Sequence, residues 1–162
     1  MRYKVSALIR ADIGAQLNLS IDEPQRNLGH DLKVEFIRGR LLLTRTDQHI
    51  LVAGSLRSAL NAECVRCLES FHLPLQIQLE ELFAISPGPR ITDQQYVVDW
   101  DGIIDLIPAL REQFLLAQPI KPVCRPDCKG LCPNCGKNLN EGACDCSDES
   151  IDPRLAALKA LL

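Results

Sequence analysis

Residues 71–83, FHLPLQIQLEELF, decide the fold. Leu73, Leu75, Ile77 and Leu79 recur at every second position. A period of two gathers all four on one face of a β-strand. A strand with one apolar face needs antiparallel neighbours and a core beneath it, and the preceding sequence supplies the neighbours. Residues from Ile50 to about Ala62 have strand composition, and residues 40–46 form another strand after the break at Gly39. Leu32, Val34 and Phe36 alternate, as do Gln16 to Ile21 before Asp22-Glu23-Pro24 ends the run. Thr46-Asp47-Gln48 makes a turn between two of these runs. Successive strands with short connections predict an α+β fold built on an antiparallel β-meander or a partly open barrel.

Helical signals flank the strands. Ser6 to Asp12, stopped at Gly14, reads as a short helix, and Tyr96 to Val98 as a short strand after the loop Ser86-Pro87-Gly88-Pro89. In IIDLIPALREQFLLAQ (residues 103–118), Ile103, Leu106, Ile107, Leu110, Phe114 and Leu115 fall at helical spacing, and Pro108 means that the main helix either starts near it or kinks there. The expected organisation is a β-rich core over residues 1–120 with its helix near 103–118, a cysteine-rich segment over 121–148, and a short helix over 152–162. Asp152 as cap, Pro153 at the first helical position and the stripe Leu155, Leu158, Leu162 mark that last helix.

The chain has 162 residues, 46% of them apolar, enough for a single core. Its longest apolar runs fall far short of the roughly 18 residues that a membrane helix requires. MRYKVSALIRAD at the start offers no apolar stretch long enough for a signal-peptide core. A cytoplasmic protein with no membrane partner is expected. The formal net charge is −3 and unevenly spread: nine Lys/Arg face six Asp/Glu in residues 1–60, and three face nine in residues 61–120. Lys33, Arg38, Arg40 and Arg45 form the richest basic stretch. They suit either a nucleic-acid face or, as the simpler reading, the solvent face of alternating strands.

Six of the eight cysteines lie in CRPDCKGLCPNCGKNLNEGACDC, Cys124 to Cys146. Clustered cytosolic thiols point to metal rather than to disulfides. In Cys132-Pro133-Asn134-Cys135-Gly136, two intervening residues let both sulfurs reach one ion. The preferred remaining ligands are Cys144 and Cys146, with Cys124 and Cys128 as the other local suppliers. Cys64 and Cys67 form the second CxxC and pair arithmetically with Cys124 and Cys128 in a second site; redox work or ordinary burial are their other readings. One structural Zn2+ is expected, with a second allowed by the count. The segment has almost no large apolar residues besides Leu131 and Leu139, so it needs such a staple to fold.

No chemistry-bearing motif accompanies the cysteines. GxSxG, HExxH and GxGxxG are absent, and GLCPNCGK (residues 130–137) is not a phosphate-binding loop. His30, His49 and His72 are isolated, and Asp99, Asp101 and Asp105 suit a strand end and the first turn of a helix. Neither catalysis nor a small-molecule substrate is expected.

Three stretches together carry a resemblance: CVRCLESF (64–71), CKGLCPNCGKNLN (128–140) with the following CDC, and DPRLAALKAL (152–161). With IDLIPALREQFLLAQP before them, they resemble the YceD family of large ribosomal RNA subunit accumulation proteins. The resemblance implies a non-enzymatic factor for 23S ribosomal RNA accumulation and large-subunit biogenesis, whose partner is a large-subunit precursor met through RNA or a ribosomal protein. It implies that zinc stabilises the C-terminal arm. Two alternatives are a zinc-stabilised interaction module unrelated to ribosomes and a thiol-based redox or metal sensor.

Overall fold

The computed structural model describes residues 1–85 and 96–146. In chain order its elements are β1 (Arg2–Lys4), α1 (Ser6–Arg10), β2 (Gln16–Glu23), β3 (Arg26–Asn27), β4 (Lys33–Val34), β5 (Ile37–Arg45), β6 (His49–Glu63), β7 (Ser70–Ala84), β8 (Ile103–Asp105) and α2 (Ile107–Ala117). The centre is an antiparallel sheet in the order β2-β5-β6-β7, flanked by the small pairs β1-β8 and β3-β4. The expected 152–162 helix lies outside the described residues.

The period of two sorts the sheet into faces. Ile37, Leu41 and Leu43 on β5, Ile50, Val52 and Leu56 on β6, and Leu75, Ile77, Leu79 and Phe83 on β7 are all buried. Arg38, Arg40, Arg57, Gln76 and Gln78 between them are exposed. Beneath the apolar face lie Val5, Leu8, Ile104, Leu106, Leu110 and Phe114, in one continuous core with the strands. These residues bring α1, the β1-β8 pair and α2 onto that face.

The sheet therefore stays open. Its edge strands β2 and β7 do not pair with each other, so a barrel, even a partly closed one, is not formed. Helices and the small strand pair cover the apolar face that closure would have buried. Two glycines let the central strands coil tightly: a Cβ on Gly39 would overlap the carbonyl oxygen of Ser55, and one on Gly54 that of Arg40.

Several boundaries differ from the sequence expectation, each for a local reason. Leu32, Val34 and Phe36 do not make one continuous strand. β4 pairs only with β3, and the chain bends at Glu35, whose N–H donates to the Ala59 carbonyl at 2.8 Å, while the Phe36 carbonyl accepts the hydroxyl of buried Ser58. Tyr96 to Val98 forms a single parallel bridge, Val97 to Ala84, with Tyr96 stacked on Phe83 at 5.2 Å between ring centroids. The first helix is one short turn, Ser6–Arg10. The run from Ile103 divides into β8 and α2, because Pro108 occupies the helix start, where its missing N–H costs nothing. Asp105 accepts the Ile107 amide at 3.0 Å there. No helix among the described residues is long and apolar enough to cross a membrane.

Candidate metal centre

The β6-β7 hairpin ends in the turn CVRC. Glu63 pairs with Ser70, the last rung of the ladder, and Cys64 N–H donates to the Glu69 carbonyl at 2.9 Å. Leu68 N–H returns to the Cys64 carbonyl at 2.9 Å, and Leu68 takes a left-handed φ of 60° to close the turn. A turn of this kind places both thiols on the same side. The chain leaving α2 comes back to it: Val65 N–H donates to the Pro122 carbonyl at 2.9 Å, which delivers Cys124 and Cys128 to the hairpin tip.

Cys64, Cys67, Cys124 and Cys128 thus converge, with all four sulfurs within 4.8 Å of one another. Cys64 and Cys128 stand 3.8 Å apart, and Cys67 and Cys124 stand 3.7 Å apart. A tetrahedral zinc with Zn–S bonds of about 2.3 Å requires sulfurs about 3.8 Å apart. The donor set fits a four-thiolate ion, and the spacing is far too long for a disulfide bond of about 2.05 Å. Cys64, Cys67 and Cys128 are buried, packed with Phe71, Val123 and Leu131.

A polar surround orients the ligands. Asn140 directs its side-chain amide at the Cys128 sulfur at 3.4 Å, and Asn138 holds Glu69 at 2.8 Å. Arg66 reaches the Cys128 carbonyl at 2.9 Å. Gly130 takes a φ of +76°, with the Arg66 backbone packed against it, and Leu131 N–H donates to the Arg66 carbonyl at 3.1 Å. Burial opposes ionisation of the Cys64 thiol, but the backbone amides of Cys124, Cys67 and Arg66 outweigh it and bring it down to about 6. The Asn140 amide lowers Cys128 against the same opposition. Burial and the neighbouring sulfurs push Cys124 up to about 12. Four thiols crowded together resist joint ionisation, and a divalent cation is the species that relieves that repulsion.

The second cluster is Cys132, Cys135, Cys144 and Cys146, again with all four sulfurs within 4.8 Å. Here the CPNC turn is closed by Gly136 N–H to the Cys132 carbonyl at 2.9 Å, with Gly136 at φ +73°. Cys132 N–H donates to the Lys137 carbonyl at 2.9 Å, and Lys137 Nζ donates to the Ala143 carbonyl at 2.7 Å, drawing the segment that carries Cys144 alongside. The amides of Cys135 and Asn134 lead in bringing the Cys132 thiol down to about 6. Only Cys132 is buried; Cys135 and Cys146 are exposed.

Every cysteine singled out from the sequence falls in one of these quartets. Cys124 and Cys128 go to the distant Cys64-Cys67 turn and not to the adjacent Cys132-Cys135 pair. Sequence reading passed over Asn140, Asn138 and Glu69, which hold the first cluster together. The Asn-Leu-Asn spacing that puts both amides on one side was the available signal.

The model of the family described as large ribosomal RNA subunit accumulation protein YceD matches residues 52–162, a span containing both quartets. The chain belongs to the YceD family. An uncharacterised protein of Mycobacterium tuberculosis is 35% identical over 158 residues, covering 96% of this chain and 66% of that protein. The uncharacterised protein YlbN of Bacillus subtilis is 33% identical over 100 residues, 61% of this chain and 58% of its own length. The chain thus spans just under two thirds of the mycobacterial relative. The chloroplastic large ribosomal RNA subunit accumulation protein YCED homolog 1 of Arabidopsis thaliana is 41% identical over 49 residues, 30% of this chain and 15% of the plant protein. No solved structure matches this YceD-family chain.

Proposed function

We propose that this chain is a non-enzymatic cytoplasmic factor supporting 23S ribosomal RNA accumulation and large-subunit biogenesis, with two structural zinc ions in its cysteine quartets. The observation that carries the reading is the YceD family match over residues 52–162, joined by the plant relatives named for large ribosomal RNA subunit accumulation. The chemistry of the site supports the non-catalytic part. Cys64, Cys67, Cys124 and Cys128 would fill every tetrahedral position of one ion, and Cys132, Cys135, Cys144 and Cys146 those of another. Neither leaves a position for a reacting water.

The first ion ties the hairpin tip to the chain leaving α2, and the second holds the CPNC turn to the Cys144-Cys146 segment. Structural zinc contributes about 10–16 kcal/mol in such segments, as much as the whole stability of an ordinary domain. That suffices to order a stretch so poor in large apolar residues. The burial of Cys64 and Cys67 supports a structural role over redox sensing, which uses accessible thiols.

The test is depletion of the protein in its own cell. The expected result is a lowered 23S to 16S RNA ratio and a deficit of 50S particles, restored by the wild-type chain. Unchanged ratios with normal 50S particles would overturn the reading. Elemental analysis of the purified chain is expected to find two zinc ions.

A further inference from the structure

We propose that the uncovered face of the β2-β5-β6-β7 sheet contacts the sugar-phosphate backbone of RNA, with Arg38, Arg40 and Arg57 as its cationic ligands. The proposal rests on the ribosomal RNA reading above and names the surface through which it works.

Among the described residues, all the covering elements pack on the other side of this sheet. On the open side, the register sets Arg38 directly opposite Arg57, and Arg40 opposite both Ser20 and Ser55. Like charges directly opposed across antiparallel strands destabilise the pair. Folding gains nothing from the Arg38-Arg57 juxtaposition, so its use lies outside the fold. Asp22 pairs with Arg38 at 2.7 Å, but Arg40 and Arg57 have no ion pair or hydrogen bond among the described residues. Two of the three guanidinium groups are thus free to take a ligand.

The geometry suits a phosphate. A shallow hollow lies between Arg38 and Arg57, lined by Gly39 and Ser55, so a hydroxyl sits between two planar cations. The Arg38 guanidinium lies 5.3 Å from the centre of the Phe36 ring, which holds it out over the sheet. Gln76 and Gln78, exposed on the neighbouring strand, supply further donors of the kind that contact phosphate and ribose. The outward positions of the four strands carry no Trp, Tyr or Phe, and the Phe36 ring beside them is capped by Arg38, so the face lacks the row of open platforms on which single-stranded bases stack. It is therefore built to hold a backbone without reading sequence. Asp22, Glu80 and, at the hairpin end of β6, Glu63 are the acidic residues at those positions, and the rest of the acidity of residues 61–120 falls mostly at the hairpin tip and around β8 and α2.

The experiment measures binding of the zinc-loaded full chain to a fluorescein-labelled, base-paired fragment of 23S ribosomal RNA across a salt series. The Arg38→Ala/Arg40→Ala/Arg57→Ala variant is expected to bind at least about tenfold more weakly. Its slope of log affinity against log salt is expected to be shallower by about 2, close to 0.7–0.9 per lost phosphate contact. The control Arg10→Ala/Lys121→Ala removes two exposed cations off this face and is expected to bind like the wild type. Arg57→Glu places opposite charges across from each other, so its thermal midpoint should hold or rise while RNA binding falls, which separates binding from folding.

Equal binding by the triple variant, or an equal loss in the control, overturns the proposal. So does displacement by millimolar inorganic phosphate as effective as by RNA, which would mark a site for a lone anion, or crosslinks from this face running to a ribosomal protein. The depletion phenotype reports separately on the parent reading. If the wild type restores the 23S to 16S ratio and the triple variant does so equally well, the surface assignment fails while the ribosomal role stands.

Discussion

Replacing Cys64 by serine should cost the core of this protein far more than replacing Cys146, although each removes one of four thiolates from one quartet. The first quartet ties Cys67 to Cys124, 57 residues apart, across the β6-β7 hairpin tip. By the chain-entropy relation for a cross-linked loop, closing a loop of that length stabilises the fold by about 4 kcal/mol at room temperature. The second quartet closes only short loops within residues 132–146, outside the sheet's apolar core. In a domain of this size each kcal/mol shifts the thermal midpoint by about 2–4 °C. Cys64→Ser is therefore expected to lower the midpoint of the β-sheet transition by about 8–16 °C, and Cys146→Ser to leave it nearly unchanged. Circular dichroism melts in zinc-buffered solution, with metal content measured on the same samples, check both. Each variant should carry one zinc fewer than the wild type. Equal midpoints for the two variants, or a Cys64→Ser protein that keeps the wild-type metal content, would refute the assignment of a long-range tie to the first quartet.

Three further outcomes follow from the geometry. Phe114→Ala, at a fully buried position beneath the sheet, should destabilise the fold by about 3–5 kcal/mol in urea unfolding. Gly54→Val would drive a branched side chain into the Arg40 carbonyl on β5; a loss of at least about 2 kcal/mol, or failure to accumulate in soluble form, is expected. The metal-free protein should regain zinc at pH 7 but not at pH 5. Cys64 and Cys132 are brought down to about 6, so their metal-binding thiolate form is present above that value and lost as pH falls through it. Zinc uptake measured by a chromophoric chelator competition against pH reads this directly.

Much of the architecture was legible in local pattern. The alternation of Leu73, Leu75, Ile77 and Leu79 specifies a strand with one buried face, because side chains on a pleated backbone point to opposite sides in turn. Leu75, Ile77 and Leu79 are buried in the sheet that results. The CPNC turn with Gly136 was equally readable, since its spacing and its left-handed residue are properties of five consecutive positions. Where the neighbours were distant in sequence, the pattern fell short. Leu32 to Phe36 alternates like a strand, yet the run bends at Glu35, whose amide is taken by the Ala59 carbonyl of another strand.

The sequence by itself determined that there would be an antiparallel sheet, a helix interrupted or started at Pro108 and enough thiols for two four-coordinate ions, because these follow from period, backbone constraint and count. Tertiary structure alone decided that the sheet stays open and which thiols meet. Burying an apolar face is indifferent to whether strands or helices do the covering, and only the packing of α2, α1 and the β1-β8 pair against it settles the choice. The partners of Cys124 and Cys128 are likewise set by where the chain leaving α2 returns, at the Val65-Pro122 hydrogen bond of 2.9 Å. The same holds for Arg38 and Arg57: strand register makes neighbours of two charges that the sequence keeps well apart.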